Sequence, residues 1–235
     1  MYKVLITGTS NGVGKAAAKK FLDMGCMVCG LDIRPASLVH DNYTHYTCDV
    51  GNARELPEIQ GVTHIVNNAG IVTPKADAIR VNQLGYINVI KKYGYDPCLK
   101  SLLIISSTCV EKGLDNLEYC SSQGARNAMV KWCTTNFSAD SRHVLCNGIS
   151  LDGIVPADPS TGTEGTSMEP ALYAEPGLVE TIKNLSVLKK LATVEEIAEW
   201  IYFFSVVNTC VTGEIVKIDG ELSNFSFVKY PGWDD

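Results

Sequence analysis

Lys3-Val-Leu-Ile-Thr-Gly-Thr-Ser-Asn-Gly-Val-Gly14 decides the fold. An apolar run ending at Thr7 meets a glycine turn, and the turn opens a helix carrying Ala16, Ala17, Phe21 and Leu22. A strand, turn and helix of this kind binds phosphate, because the first helical N–H groups lack partners and the helix dipole adds partial positive charge. Gly8, Gly12 and Gly14 keep side chains out of the way, so a pyrophosphate can sit directly on the main chain between Ser10, Asn11 and Val13. A second apolar run, Met27-Val-Cys-Gly-Leu-Asp32, ends in an acid 18 residues after Gly14. A carboxylate there accepts hydrogen bonds from ribose hydroxyls, which extends the phosphate loop to a dinucleotide site continuing through Ile33 and Arg34.

Gly8-Thr-Ser-Asn-Gly12 also fits G-x-S-x-G, the strained turn that presents a nucleophilic serine in hydrolases. That chemistry needs an oxyanion loop before the turn, then an acid and a histidine after it. Only seven residues precede Gly8, and of His40, His45, His64 and His143 only the last falls late, at the start of an expected strand. The dinucleotide reading therefore leads.

The chain has 235 residues, 46% hydrophobic and 20% charged, enough for one well-buried domain over 1–235 and short for two. A net charge of −6 without a Lys/Arg run argues against nucleic acid or an anionic membrane as partner and leaves a small-molecule substrate. No stretch approaches the roughly 18 to 20 apolar residues of a membrane span, and the first strand follows the N-terminus without a signal peptide, so a cytoplasmic protein is expected. Nine scattered cysteines read as buried free thiols in a reducing compartment. Cys26-Met-Val-Cys29 has redox or zinc spacing, but it enters a strand, where positions i and i+3 face opposite sides; no metal site is expected.

Strands are expected at Val4 to Thr7, Met27 to Ile33, Tyr46 to Val50, His64 to Asn67, Ser101 to Ser106, His143 to Ile149 and Glu214 to Ile218, with helical patterns between most of them. This alternation predicts right-handed βαβ units and a Rossmann-type, doubly wound α/β fold with a parallel sheet. Thr193-Val-Glu-Glu196 reads as a capping box before Ile197, Ile201 and Phe204. Gly, Pro, Ser and Thr dominate 153 to 177, which reads as a flap over a binding site, reaching to about residue 190.

Taken together these residues resemble the short-chain dehydrogenase/reductase family nearly end to end. Thr7-Gly-Thr-Ser-Asn-Gly-Val-Gly14 is similar to its T-G-x-x-x-G-x-G loop, Cys48-Asp49-Val50 to its adenine-contacting D-V step, and Asn67-Asn68-Ala69-Gly70 to its N-N-A-G turn. Val81-Asn82-Gln-Leu-Gly85 resembles the helix that supplies a catalytic asparagine, and Ser107 and Tyr119 the active-site serine and tyrosine. Thr212-Gly213 and Ile218-Asp219-Gly220 resemble the final strand and turn. The resemblance implies an NAD(P)-dependent oxidoreductase interconverting a secondary alcohol and a ketone, with Gly153 near the cofactor. Asp32 favours NAD(H), because its carboxylate would repel a 2′-phosphate; Arg34 is the counterargument for NADP(H). A homodimer or homotetramer is also implied, and Phe225, Phe227, Tyr230 and Trp233 give the chain an aromatic tail in need of cover.

The main departure lies at Tyr119-Cys-Ser-Ser-Gln123. A tyrosine of ordinary pKa, about 10, is a poor base near neutrality unless a cation helps its phenolate. In the family a lysine four residues on supplies that charge and holds the nicotinamide ribose; here Gln123 keeps the hydrogen-bonding capacity and loses the charge. Weakened catalysis follows, or, as the alternative, a dinucleotide-binding regulatory protein without efficient turnover. Arg126 either leans back toward this site or, the more ordinary reading, is a solvated charge on the helix surface. Two further departures are the short 11-residue spacing between Gly70 and Asn82 and Asn147-Gly-Ile-Ser-Leu-Asp-Gly153 where the family commonly has Pro-Gly.

Overall fold

Strands β1 (Lys3–Thr7), β2 (Met27–Asp32), β4 (His64–Asn67), β5 (Ser101–Ser107) and β6 (Leu145–Leu151) are almost wholly buried, as strands covered on both faces must be. Together with β3 (Tyr43–Thr47) and β7 (Ile215–Ile218) they form one seven-stranded parallel sheet in the order β3-β2-β1-β4-β5-β6-β7. The computed structural model describes residues 1–72, 76–113, 116–157, 164–165 and 176–223. The expected single-domain, doubly wound α/β fold is the one observed.

Helix α1 (Gly12–Asp23) covers one face, joined there by α7 (Val194–Tyr202). Phe21 of α1 meets the Tyr202 ring at 5.4 Å, and Lys20 pairs with Glu199 at 2.7 Å. The other face is covered by α3 (Gly85–Tyr93) and α5 (Leu117–Cys133). A short α2 (Ala76–Ile79) and a π turn (Arg80–Leu84) lead into α3, and α4 (Cys109–Lys112) follows β5. The exposed helix α6 (Leu178–Leu185) precedes α7. The capping box is present as read: Thr193 Oγ1 accepts from Glu196 N–H at 3.1 Å, and the Glu196 carboxylate accepts from Thr193 N–H at 3.0 Å.

Two strands lie elsewhere than expected. β3 spans Tyr43–Thr47 rather than 46–50, because Asp49 turns the chain: its Oδ1 accepts from Gly51 N–H at 2.8 Å. β6 starts at Leu145 rather than His143, whose φ of 52° belongs to a turn closed by His143 N–H on Asp140 O at 3.1 Å. Of the expected flap, 158–163 and 166–175 lie outside the described residues, as does the aromatic tail from 224 onward. The flap's base is anchored: Val155 N–H donates to Ala192 O at 2.9 Å and Ala192 N–H to Gly153 O at 2.8 Å.

Sequence order reverses direction between β1 and β4, which opens a crevice at the carboxyl ends of the strands. Gly8, Asp32, Asn68 and Ser107 all stand at that edge.

Candidate functional site

The phosphate end of the crevice is built from main chain. Gly8, Gly12 and Gly14 bring the turn close to its neighbours. Gly8 has a φ of 79°, and a Cβ on Gly14 would stand 2.0 Å from Gly8 O and 2.5 Å from Asn68 Nδ2. Asn11 caps α1, its Oδ1 accepting from Gly12 N–H at 2.8 Å, while Val13 turns inward to the core. Ser10 N–H donates to Asp32 Oδ2 and Arg34 N–H to Asp32 Oδ1, each at 2.9 Å. Both carboxylate oxygens are thus oriented, and each keeps a lone pair for a further donor. The Ile33 side chain is exposed.

A polar chain lies beneath this loop. Thr9 Oγ1 and Tyr43 OH are 2.8 Å apart, Tyr43 OH and His45 Nδ1 2.9 Å, and His45 Nε2 reaches Arg34 O at 2.9 Å. Thr7 ties the loop after β4 to β1: its hydroxyl accepts from Asn68 N–H and Ala69 N–H, both at 2.8 Å. Cys48 and Val50 are buried, and Arg80 bridges Asp49 to Asp77. These residues fit a dinucleotide: bare main chain at a helix start, and an oriented carboxylate beyond it. Lys15, on the first turn of α1, pairs with Glu164 at 2.6 Å, which joins the flap segment to the phosphate end.

The other end is built from side chains on β5, α5 and the π turn. The π turn carries Asn82 fully buried; such turns break the regular helical ladder and redirect side chains. Asn82 Oδ1 accepts from Ile71 N–H at 2.9 Å, and its Nδ2 donates to Ile71 O at 2.8 Å and Ser122 Oγ at 3.2 Å. Ser107 ends β5, where its Oγ accepts from Cys109 N–H at 3.2 Å. Tyr119 sits in the first turn of α5, half-buried, under an Asn116 cap at 3.0 Å. Gln123 lies one turn on, buried, with its backbone carbonyl accepting from Ser106 Oγ at 3.3 Å.

Arg126 corrects the reading of a solvated surface charge: it is 3% exposed. Its Nε donates to Asn82 O at 2.9 Å, Nη1 to Ile105 O at 3.0 Å and Gln123 Oε1 at 3.2 Å, and Nη2 to Ala69 O at 3.1 Å. The guanidinium also lies over the Tyr86 ring, 3.8 Å from its centroid. A Cβ on Gly70 would stand 3.0 Å from Nη2, so the cation lies directly behind the N-N-A-G turn. Spacing held a signal for it: Tyr119, Gln123 and Arg126 are at i, i+4 and i+7, one face of a helix. Nothing in the sequence pointed to Tyr86, fully buried with its hydroxyl on Ile105 O at 3.0 Å. Lys112 and Asp152, paired at the ends of α4 and β6 with Thr108 Oγ1 on Asp152 at 2.6 Å, were also unread.

Burial pushes the Cys109 thiol up to about 12, with its hydrogen bond to Ser107 opposing, and lifts Tyr86 to about 12 against the pull of Arg126. Burial likewise lowers the Arg126 guanidinium, opposed by Tyr86, Tyr119 and Cys109. A guanidinium does not give up its proton in a protein, so Arg126 stays charged.

No protein-family model matches the chain. Sorbitol-6-phosphate 2-dehydrogenase of Klebsiella pneumoniae is 24% identical over 254 residues, covering 92% of this chain and 94% of that protein. Ligand-free aldohexose dehydrogenase of Thermoplasma acidophilum shares the fold with a TM-score of 0.80 at 22% identity, covering 98% and 97% of the two chains. So does 4-hydroxyisoleucine dehydrogenase complexed with NADH, at 0.76 and 21%, covering 95% and 99%. The chain is thus similar, over nearly its whole length, to dehydrogenases of the short-chain dehydrogenase/reductase kind.

Proposed function

We propose that this chain is an NAD(H)-dependent short-chain dehydrogenase/reductase that interconverts a secondary alcohol and a ketone of a small molecule in the cytoplasm. The observation that carries the reading is the shared crevice: one carboxyl edge of the sheet holds the bare phosphate turn, the oriented Asp32 carboxylate, and Ser107 with Tyr119. A bound nicotinamide supplies the hydride. Tyr119 gives a proton to the carbonyl oxygen and takes it back in the reverse direction, Ser107 donates a second hydrogen bond to that oxygen, and Asn82 fixes the π turn behind them. Gly8, Ser10, Asn11, Gly12, Val13 and Gly14 would hold the pyrophosphate, Asp32 to Arg34 and Cys48 to Val50 the adenosine, and Asn68 to Gly70 and Gly153 the nicotinamide end. Gln123 itself brings hydrogen bonds but no charge to this end of the crevice, and turnover is slow for it. A homodimer or homotetramer completes the proposal, with exposed Trp132, Trp200 and Phe203 as apolar surface for it to cover.

NADH fluorescence on mixing, followed by cofactor consumption against a panel of ketones and secondary alcohols, tests the reading. NADH binding at least tenfold tighter than NADPH, with turnover of some member of the panel, is expected; calibrated gel filtration of the same sample reads the assembly. NADPH binding tighter than NADH sinks the role of Asp32. Tight NADH binding with no turnover favours a regulatory protein that has kept only the dinucleotide site.

A further inference from the structure

A buried cation needs compensation, and among the described residues Arg126 finds it in dipoles and in the face of the Tyr86 ring. Among the described residues it makes no ion pair; three backbone carbonyls and the Gln123 carboxamide satisfy it. Dipoles hold a guanidinium in place without neutralising it, so its field acts on whatever ionisable group lies near.

Those groups are few. From the π turn and α3 comes Tyr86, whose hydroxyl is spent on Ile105 O and whose burial lifts it to about 12. From α4 comes the buried Cys109, and beyond it Lys112 and Asp152 pair and offset each other. From α5 comes Tyr119, among the groups whose charge the guanidinium feels, while Cys120 lies against Cys109. Tyr86 and Cys109 are fully buried, whereas Tyr119 is only half-buried, as is its neighbour Cys120.

We infer that Arg126 is the cation of the tyrosine site: from i+7 on the Tyr119 face of α5, braced by Gln123, it makes the Tyr119 phenolate easier to form. The inference rests on the reading of Tyr119 as proton donor. It also explains position 123. A lysine there would put an ammonium beside a guanidinium that Gln123 Oε1 now accepts at 3.2 Å, two like charges in one desolvated pocket. Gln123 keeps the count of positive charges at one and turns its carbonyl oxygen to the arginine. Arg126 acts through Tyr119 and is a positioning residue.

The test follows the phenol itself and needs no substrate. Tyrosinate absorbance is titrated in the wild type and in Tyr119→Phe, and the difference isolates the Tyr119 step among ten tyrosines. In the wild type the step is expected below the ordinary value of about 10. Arg126→Met should move it up by about one unit or more, and Arg126→Lys should hold it within about half a unit of wild type, since an opposite charge at close range is worth about 1 to 3 units. A wild-type step at 10 or above overturns the inference even if Arg126→Met fails to fold; so does a step unmoved in an Arg126→Met protein that still binds NADH. A lowered step without turnover on any carbonyl sinks the proposed enzyme and spares the charge. Turnover that dies in Tyr119→Phe while the step sits at 10 does the opposite.

Discussion

The phosphate end of the crevice and the tyrosine end solve opposite problems. At Gly8 to Gly14 side chains are removed so that backbone N–H groups stay open to a ligand, and Asp32 is aimed by two backbone donors. At Tyr119 side chains are packed in. Asn82, Tyr86, Gln123 and Arg126 are all buried, and they tie the π turn, β5, the turn after β4 and α5 together. The first end binds with little buried charge. The second spends desolvation, on the order of several kcal/mol for one ion, to keep a cation against carbonyl dipoles. A site made of main chain tolerates change in its side chains but not in its glycines, whereas a site made of buried side chains is sensitive at each of them.

The largest expected effect breaks the tyrosine end alone. Tyr119→Phe removes the hydroxyl and leaves the ring, so turnover should fall by about a hundred- to ten-thousandfold, the usual worth of a positioned acid or base. NADH affinity should change less than about threefold, because the phosphate end makes no use of that hydroxyl. Stopped turnover with equal loss of binding would mean that the two ends are not separable, and unchanged turnover would remove Tyr119 from the chemistry.

Gly14→Ala is the mirror experiment. Its Cβ would meet Gly8 O at 2.0 Å, a backbone atom in a turn fixed by Gly8 N–H on Leu31 O at 2.7 Å, so little can yield. Overpacking of this kind costs about 1 to 3 kcal/mol or more, which in a domain of this size lowers the melting temperature by roughly 2 to 12 °C. NADH affinity should fall at least tenfold. A variant that binds NADH as well as wild type would show that the turn is not the cradle.

The two ends also differ in what the sequence discloses, for the same reason. Glycine spacing, an acid closing the next strand and the Thr193 capping box are local patterns, each dictated by a few adjacent residues, and all three lie where they were expected. β3 was misplaced because Tyr43 to Cys48 and Val50 all suit a strand, and only the Asp49 turn decides where pairing stops. Ser107 and Tyr119 were placed through motif resemblance. Arg126 was not, because a charged residue on a helix ordinarily faces water and the carbonyls that hold it come from Ala69, Asn82 and Ile105, distant in sequence. Tyr86 is out of reach of sequence reasoning for the same cause: its partner is a backbone oxygen on another element.

The smallest expected effect leaves the crevice altogether and sharpens the comparison from the opposite edge of the sheet. His64 opens β4 at the amino end, 3% exposed, with its Nδ1 2.8 Å from Thr63 Oγ1 and the Tyr2 ring edge-on at 4.6 Å. Burial first, and the Lys100 charge second, lower it from 6.5 to about 4. The unfolded chain therefore binds a proton at His64 between pH 6.5 and 4 that the folded protein does not. Stability from this group is complete above about 6.5 and is lost as pH falls toward 4. At about 1.4 kcal/mol per pKa unit, the full loss is about 3 kcal/mol, or roughly 6 to 12 °C in melting temperature. His64→Phe fills the same space without a titrating nitrogen. Any packing cost is the same at every pH, so the wild-type minus variant difference in melting temperature should shrink or reverse as pH drops through that window. NADH affinity at pH 7 should match wild type, since His64 and the crevice lie at opposite ends of the strands. A difference flat from pH 7 to 4 would show that His64 takes up its proton in the folded state, and a loss of NADH binding would show that the two edges of the sheet are coupled.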